Sequence, residues 1–132
     1  MIFQTLKHII TSKDLCAQIK IAEIMKLEGC LIFYHAGIET GLFKILREPL
    51  IPAQVAMKLN IKDSMLLSSL LDLGSSTGEL SCRKGKYSLK GATAKALISN
   101  TPVTELIRET VLFHGDVAAK LGMYLKKNIK GN

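Results

Sequence analysis

Little in this sequence could hold a metal, a disulfide or a bilayer. Cys16, Cys30 and Cys82 are odd in number, with no CxxC pair and no Cys/His cluster. That spacing argues against a zinc site or a disulfide framework and leaves free, buried thiols as the expectation. No apolar run approaches the length of a membrane span, and the start has no charged, apolar and cleavage-site succession of a secretory leader. No membrane partner is expected, and the expected location is cytoplasmic. Catalytic groups are equally sparse. His8, His35 and His114 lie far apart, with no carboxylate or cysteine at metal-ligand spacing. His114 falls on an apolar helical stripe and reads as a core or interface histidine. Ser75-Ser76-Thr77 has no neighbouring base to activate a nucleophile. The chain itself is therefore expected to carry no catalytic residue, no cofactor site and no metal ligand.

What is present suits a folded domain. Hydrophobic residues make up 48% of the chain and charged ones 22%, the balance of an ordered, water-exposed protein. A length of 132 residues gives one domain room for a core. The net charge of +7 is unevenly placed. Residues 1–82 carry eight basic and eight acidic side chains, whereas 83–132 carry ten and three.

The organising stretch is 49–90. Pro52 suits a first helical position, and Ala53, Val55, Ala56 and Leu59 follow as a short apolar stripe. Asn60 can close that helix in the left-handed conformation. Asp63 or Ser64 can cap the next one, which carries Met65, Leu66, Leu67, Leu70, Leu71 and Leu73 and is expected to stop at Gly74. Two alternating runs, Glu79–Arg83 and Lys86–Leu89, flank Lys84-Gly85 and read as a hairpin. Helix, turn, helix and hairpin in this order define a winged helix-turn-helix. The fold class is thus mainly α, with a small β-hairpin wing and extra helices at both ends.

On the N-terminal side (1–48), Phe3, Leu6, Ile9 and Ile10 give a weak opening pattern. A helix from Ser12 or Asp14 then carries Leu15, Ile19, Ala22 and Met25 as a core-facing stripe. Gly29 interrupts it, and a second helix from Leu31 runs into Gly41, followed by an apolar Leu42–Leu46 turn. On the C-terminal side (91–127), Gly91–Ile98 reads as a short helix. Thr101 caps a last helix with Pro102 at its first turn, running from Val103 to about Lys127. Ile107, Val111, His114, Ala118, Leu121 and Leu125 form one stripe, and Leu106, Phe113, Val117 and Tyr124 a second. That face is wider than a surface helix needs and calls for a partner. Residues 128–132 read as a linker or tail.

Two motifs compete for a function. Asp72-Leu-Gly74-Ser-Ser76-Thr-Gly78 resembles the acidic, Gly-rich turn with which Rossmann-type methyltransferases hold S-adenosylmethionine. It lacks the preceding strand and the following helix that such a turn needs. Docking on DNA would use Lys62, Ser64 and Ser68 on the second helix with Arg83, Lys84 and Lys86 on the wing. The helix also carries Asp63 and Asp72, which oppose phosphate binding, so DNA is the less favoured partner.

The order of several segments resembles a family. Leu27-Glu28-Gly29 and Ala36 to Leu46, with Gly41-Leu42-Phe43-Lys44-Ile45-Leu46, are similar to the N-terminal domain of class I O-methyltransferases, the enzymes of plant phenolic, hydroxyindole and bacterial polyketide methylation. Ile51 to Asn60 resembles that domain's next helix, Met65 to Gly74 its Leu-rich helix, and Gly85 to Leu89 its wing. Leu121 to Gly131 looks like the helix leading to the catalytic domain. The pattern departs at Ile51, where Ser or Thr is usual, and at Gly91, where Thr or Pro is common. The resemblance implies a homodimerisation module of an S-adenosylmethionine-dependent methyltransferase. It also implies that cofactor and catalysis belong to a following C-terminal catalytic domain, which this chain lacks. The expected interface is Leu31, Phe33, Tyr34, Leu42, Phe113, Val117, Leu121 and Tyr124. The rival reading is a small winged-helix DNA-binding transcriptional regulator.

Overall fold

Helix α1, Leu15–Thr40, is one unbroken run of 26 residues, rather than two helices parted at Gly29. It ends at Gly41, whose φ of 76° is the left-handed geometry that a Cβ disfavours. The short α2 (Leu42–Ile45) folds back from there. The computed structural model describes residues 2–4 and 14–128; Leu6, Ile9 and Ile10, His8 and the tail from 129 lie outside them. After α2 come α3 (Pro52–Leu59), α4 (Ser64–Ser76), β1 (Leu80–Arg83), β2 (Lys86–Leu89), α5 (Ala92–Ala96), α6 (Thr101–Phe113), a π-helical turn at His114–Ala118, and α7 (Ala119–Lys127).

Local chemistry sets the boundaries of the winged helix. Ile51 has no cap side chain, yet Gln54 reaches back and its Oε1 accepts the Ile51 N–H at 3.1 Å, half of a capping box. Asn60 closes α3 at φ 55°. Asp63 caps α4, its Oδ1 accepting from the Leu66 N–H at 2.9 Å. The hairpin turns on Lys84 and Gly85, both at positive φ, as a two-residue primed turn requires. Its register pairs Leu80 with Leu89 and Arg83 with Lys86. Leu50 adds a third, single-residue edge, exchanging both backbone hydrogen bonds with Tyr87 at 3.0 and 2.8 Å. This bridge ties the segment before α3 to the wing.

The core lies where α1, α2, α4 and the hairpin meet. Phe33, Leu42, Leu46, Val55 and Leu71 are fully buried, with Phe43, Leu67 and Leu80 nearly so. Phe33 and Phe43 stack at a tilt with ring centroids 5.5 Å apart, a geometry that adds to simple burial. Gly74 does not stop α4, which continues through Ser76. It is small because a Cβ there would sit 2.6 Å from the Phe33 ring and 2.7 Å from Leu80. That gap lets the wing's first strand close on α1.

The C-terminal caps differ by one residue from expectation. Asn100, not Thr101, caps α6, its Oδ1 accepting the Val103 N–H at 3.2 Å. α5 is confined to Ala92–Ala96. Ala94, Leu97 and the half-buried Ile98 and Ile107 attach this end to the core. Arg108 fastens α6 to the end of α1 through Glu39 at 2.6 Å, while Glu105 takes its other arm. Beyond Leu112 every described side chain is exposed.

Candidate interaction surface

The first half of α1 is apolar around its circumference. Ile19, Ile21, Ile24, Met25 and Leu27 point in different directions, yet all are more than half exposed, Leu27 at 69%. The stripe of Leu15, Ile19, Ala22 and Met25 therefore does not face this chain's core. A helix that is apolar all round is one that is meant to be covered. The far end of the molecule repeats the situation. Leu112, Phe113, Leu121, Met123, Tyr124 and Leu125 are exposed by half or more. Isolated exposed leucines mean little, but a contiguous set of this size marks an interaction site.

The two apolar ends face each other across a groove of about 560 Å³. Ile24, Leu27, Leu31 and Ile32 of α1 form one wall; Val111, His114 and Gly115 form the other, with Glu28 on the rim. The π-helical turn at His114–Ala118 thus lines the groove, and π-turns are enriched at working sites of helices. His114 is exposed and sits edge-on to Phe113, ring centroids 6.2 Å apart.

The residues expected at a dimer interface divide. Phe113, Val117, Leu121 and Tyr124 lie exposed along the terminal helix, and Leu31 sits half-buried in the groove wall. Phe33 and Leu42 do not belong with them: both have 0% exposure inside this chain's own core, so they offer no surface to a second chain. Tyr34 is half-buried and engaged internally. Sequence reasoning missed Ile21, Ile24, Leu27 and Ile32. The signal was available, because these residues fall off the stripe on which the core-facing reading of α1 rested.

Glu79 was also missed as anything but the start of a strand. It is 8% exposed and acts as a staple. The Tyr34 hydroxyl donates to its Oε1 at 2.6 Å, and the Ala94 N–H donates to Oε2 at 3.1 Å. A carboxylate in this position is tolerable only because such donors replace water. Gly91 follows from it, since a Cβ there would collide with the Glu79 carboxylate. That collision accounts for glycine at the position where the resemblance led to an expectation of Thr or Pro. Burial, then the bond to Glu79, pushes the Tyr34 hydroxyl up to about 12. Tyr87, bonded to Asp72 at 3.0 Å, is likewise raised to about 12, chiefly by burial. Hydrogen bonding to Arg108 lowers Glu39 below the usual carboxylate range.

Among residues proposed for DNA, Lys62, Ser64, Ser68, Arg83, Lys84 and Lys86 are all exposed. Ser64 and Ser68, however, flank Met65 and Leu66, at 81% and 66% exposure. An apolar tip is a poor reader of base edges. The Asp72–Gly78 stretch is mostly the end of α4, not a strand-borne turn. Cys16 and Cys82 are exposed and Cys30 half-buried, all free, which corrects the expectation of buried thiols. Among the described residues no cluster of three or more His, Cys, Asp or Glu could hold a metal ion, and no helix is long and apolar enough to cross a membrane.

No family model matches this sequence, and no curated protein does. Solved structures do match the fold. "PigF with SAH" superposes with a TM-score of 0.67 at 23% identity, over 83% of this chain and 33% of that one. An O-methyltransferase family protein from Burkholderia thailandensis gives 0.64 at 16%, over 87% and 34%. The S-adenosylmethionine-dependent methyltransferase SibL in its apo form gives 0.58 at 22%, over 82% and 33%. This chain has the fold of one part of such proteins and spans about a third of their length.

Proposed function

We propose that this chain is the homodimerisation module of an S-adenosylmethionine-dependent methyltransferase, acting in the cytoplasm, with methyl transfer carried by a separate C-terminal catalytic domain. The observation that carries the reading is the pair of apolar ends around the groove of Ile24, Leu27, Val111 and His114. A second copy laying its terminal helix along α1 would cover both at once, and C2 pairing of identical patches is the commonest way to do so. The fold shared with a third of each methyltransferase chain supplies the catalytic context. Phe113, Val117, Leu121 and Tyr124 would be the terminal helix's contribution; Ile24, Leu27, Leu31 and Ile32 would be that of α1.

Light scattering at micromolar concentration tests this directly: the expected mass is twice the 14.5 kDa of one chain, and a monomer would overturn the reading. Calorimetric titration with S-adenosylmethionine is expected to show no binding to this chain. Heat of binding would mean that a cofactor site is present here after all. A transcriptional regulator is less well supported, because Asp63, Asp72, Met65 and Leu66 occupy the helix that would read bases.

A further inference from the structure

From Leu80 to Thr104 the chain contains no Asp or Glu, while Arg83, Lys84, Lys86, Lys90 and Lys95 fall in the same stretch. The fold gathers all five around one concave surface of about 620 Å³ between the hairpin and α5. Strand alternation explains the arrangement. Leu80 and Leu89 pair on the face turned to the core, whereas Ser81 and Ser88, and Arg83 and Lys86, pair on the other. All five cations are exposed, and none of them is in an ion pair among the described residues. Ser81 and Ser88 add hydroxyl donors to the floor. The patch is separate from the apolar groove, with no residue in common.

We infer that this basic cleft binds the phosphodiester backbone of duplex nucleic acid, without reading its sequence. The lining decides between anionic partners. A protein interface needs aromatic or aliphatic anchors at its centre and is poor in lysine; here only Pro49 and the half-buried Leu89 are apolar. Single strands are gripped by exposed aromatic rings, and the wing's one ring, Tyr87, is turned to Asp72. A bilayer is flat on this scale, whereas a ridge of phosphates can enter a concave cleft. Lysine-rich, polar and concave is the character of a backbone contact.

Fluorescence anisotropy with a labelled random duplex is the test. About four neutralised phosphates would make affinity fall on the order of a hundredfold between about 50 and about 200 mM salt. Combining Lys84→Glu, Lys86→Glu and Lys90→Glu is expected to abolish binding at low salt. Combining Lys20→Glu, Lys44→Glu and Lys58→Glu, an equal change of net charge away from the wing, is expected to retain most of it. Melting curves of both variants show whether the fold is kept, and the salt slope of the unmodified protein tests the inference without any variant. Four results would overturn it: no binding at low salt; equal loss in both variants; a marked preference for one duplex sequence; or tighter binding to polyglutamate or anionic phospholipid vesicles than to duplex.

Discussion

The winged-helix half and the two helical ends of this molecule have similar apolar content and opposite fates. Between Leu46 and Leu97 most leucines close on one another and on Phe33, Leu46 and Leu71 with no exposure at all, and Leu66 is the open exception. Along 19–27 and 112–125 the same residue types stand mostly half open to solvent or more. The difference is one of supply: the wing, α3, α4 and α5 provide facing surfaces for the middle of the chain. Nothing among the described residues does so for the ends. Hydrophobic residues in one part stabilise the fold, and in the other they stay open among the described residues.

The comparison can be broken most severely at the core. Phe33→Ala should cost about 3–5 kcal/mol, read as the shift in a denaturation midpoint, and should unfold the winged-helix half whatever the association state. At the ends the signature is different. Pairing Leu121→Glu with Tyr124→Glu should convert the proposed dimer to monomer by light scattering, with the far-ultraviolet helical signal of the winged helix kept. If it unfolds the chain as Phe33→Ala does, the two regions are one cooperative unit rather than a core and an interface.

The polar staple gives a smaller and pH-resolved effect. Tyr34→Phe should destabilise by about 1–2 kcal/mol, because Glu79 loses a charge-assisted partner while buried. The sign of its pH dependence follows from the raised hydroxyls of Tyr34 and Tyr87. Protonated tyrosine is favoured in the fold. That contribution is whole below pH 10, the ordinary value, and is lost as pH climbs through about 12. Chemical denaturation between those limits should show the decline, and Tyr34→Phe should flatten part of it. Smallest of all should be Arg108→Ala. Its partners Glu39 and Glu105 are about half exposed, and water and salt screen such pairs. Its melting temperature should differ least from the unmodified protein, and less still in added salt.

Much of the winged helix was legible because it is governed by short-range rules. Pro52, Asn60, Asp63 and Lys84-Gly85 each act within a few residues of themselves, and each occupies the expected position. What was not legible depended on contacts distant in sequence. Gly74 reads locally as a stop, and only the Phe33 ring, 41 residues away, shows why it is a spacer. Glu79 reads as an ordinary polar start to a strand until Tyr34 and Ala94 are seen to donate to it. Phe33 and Leu42 were assigned to an interface because apolar periodicity reports that a residue is covered, not by what. The same ambiguity, in the opposite direction, placed Ile19 and Met25 in a core they do not join.

The widened turn at His114–Ala118 has a consequence for phase. One extra residue in a helical turn delays everything after it by roughly 100° around the axis. Ile107 and Val111, upstream, are half-buried beside α1. Leu121 and Leu125, on the same stripe by sequence spacing, are exposed by half or more, as such a rotation would leave them. Deleting Gly115 would restore the rhythm and swing those leucines back toward the chain's own first helix. The turn therefore acts as a selector between two destinations for one stripe, folding inward or reaching outward, and this sequence is set to the outward one.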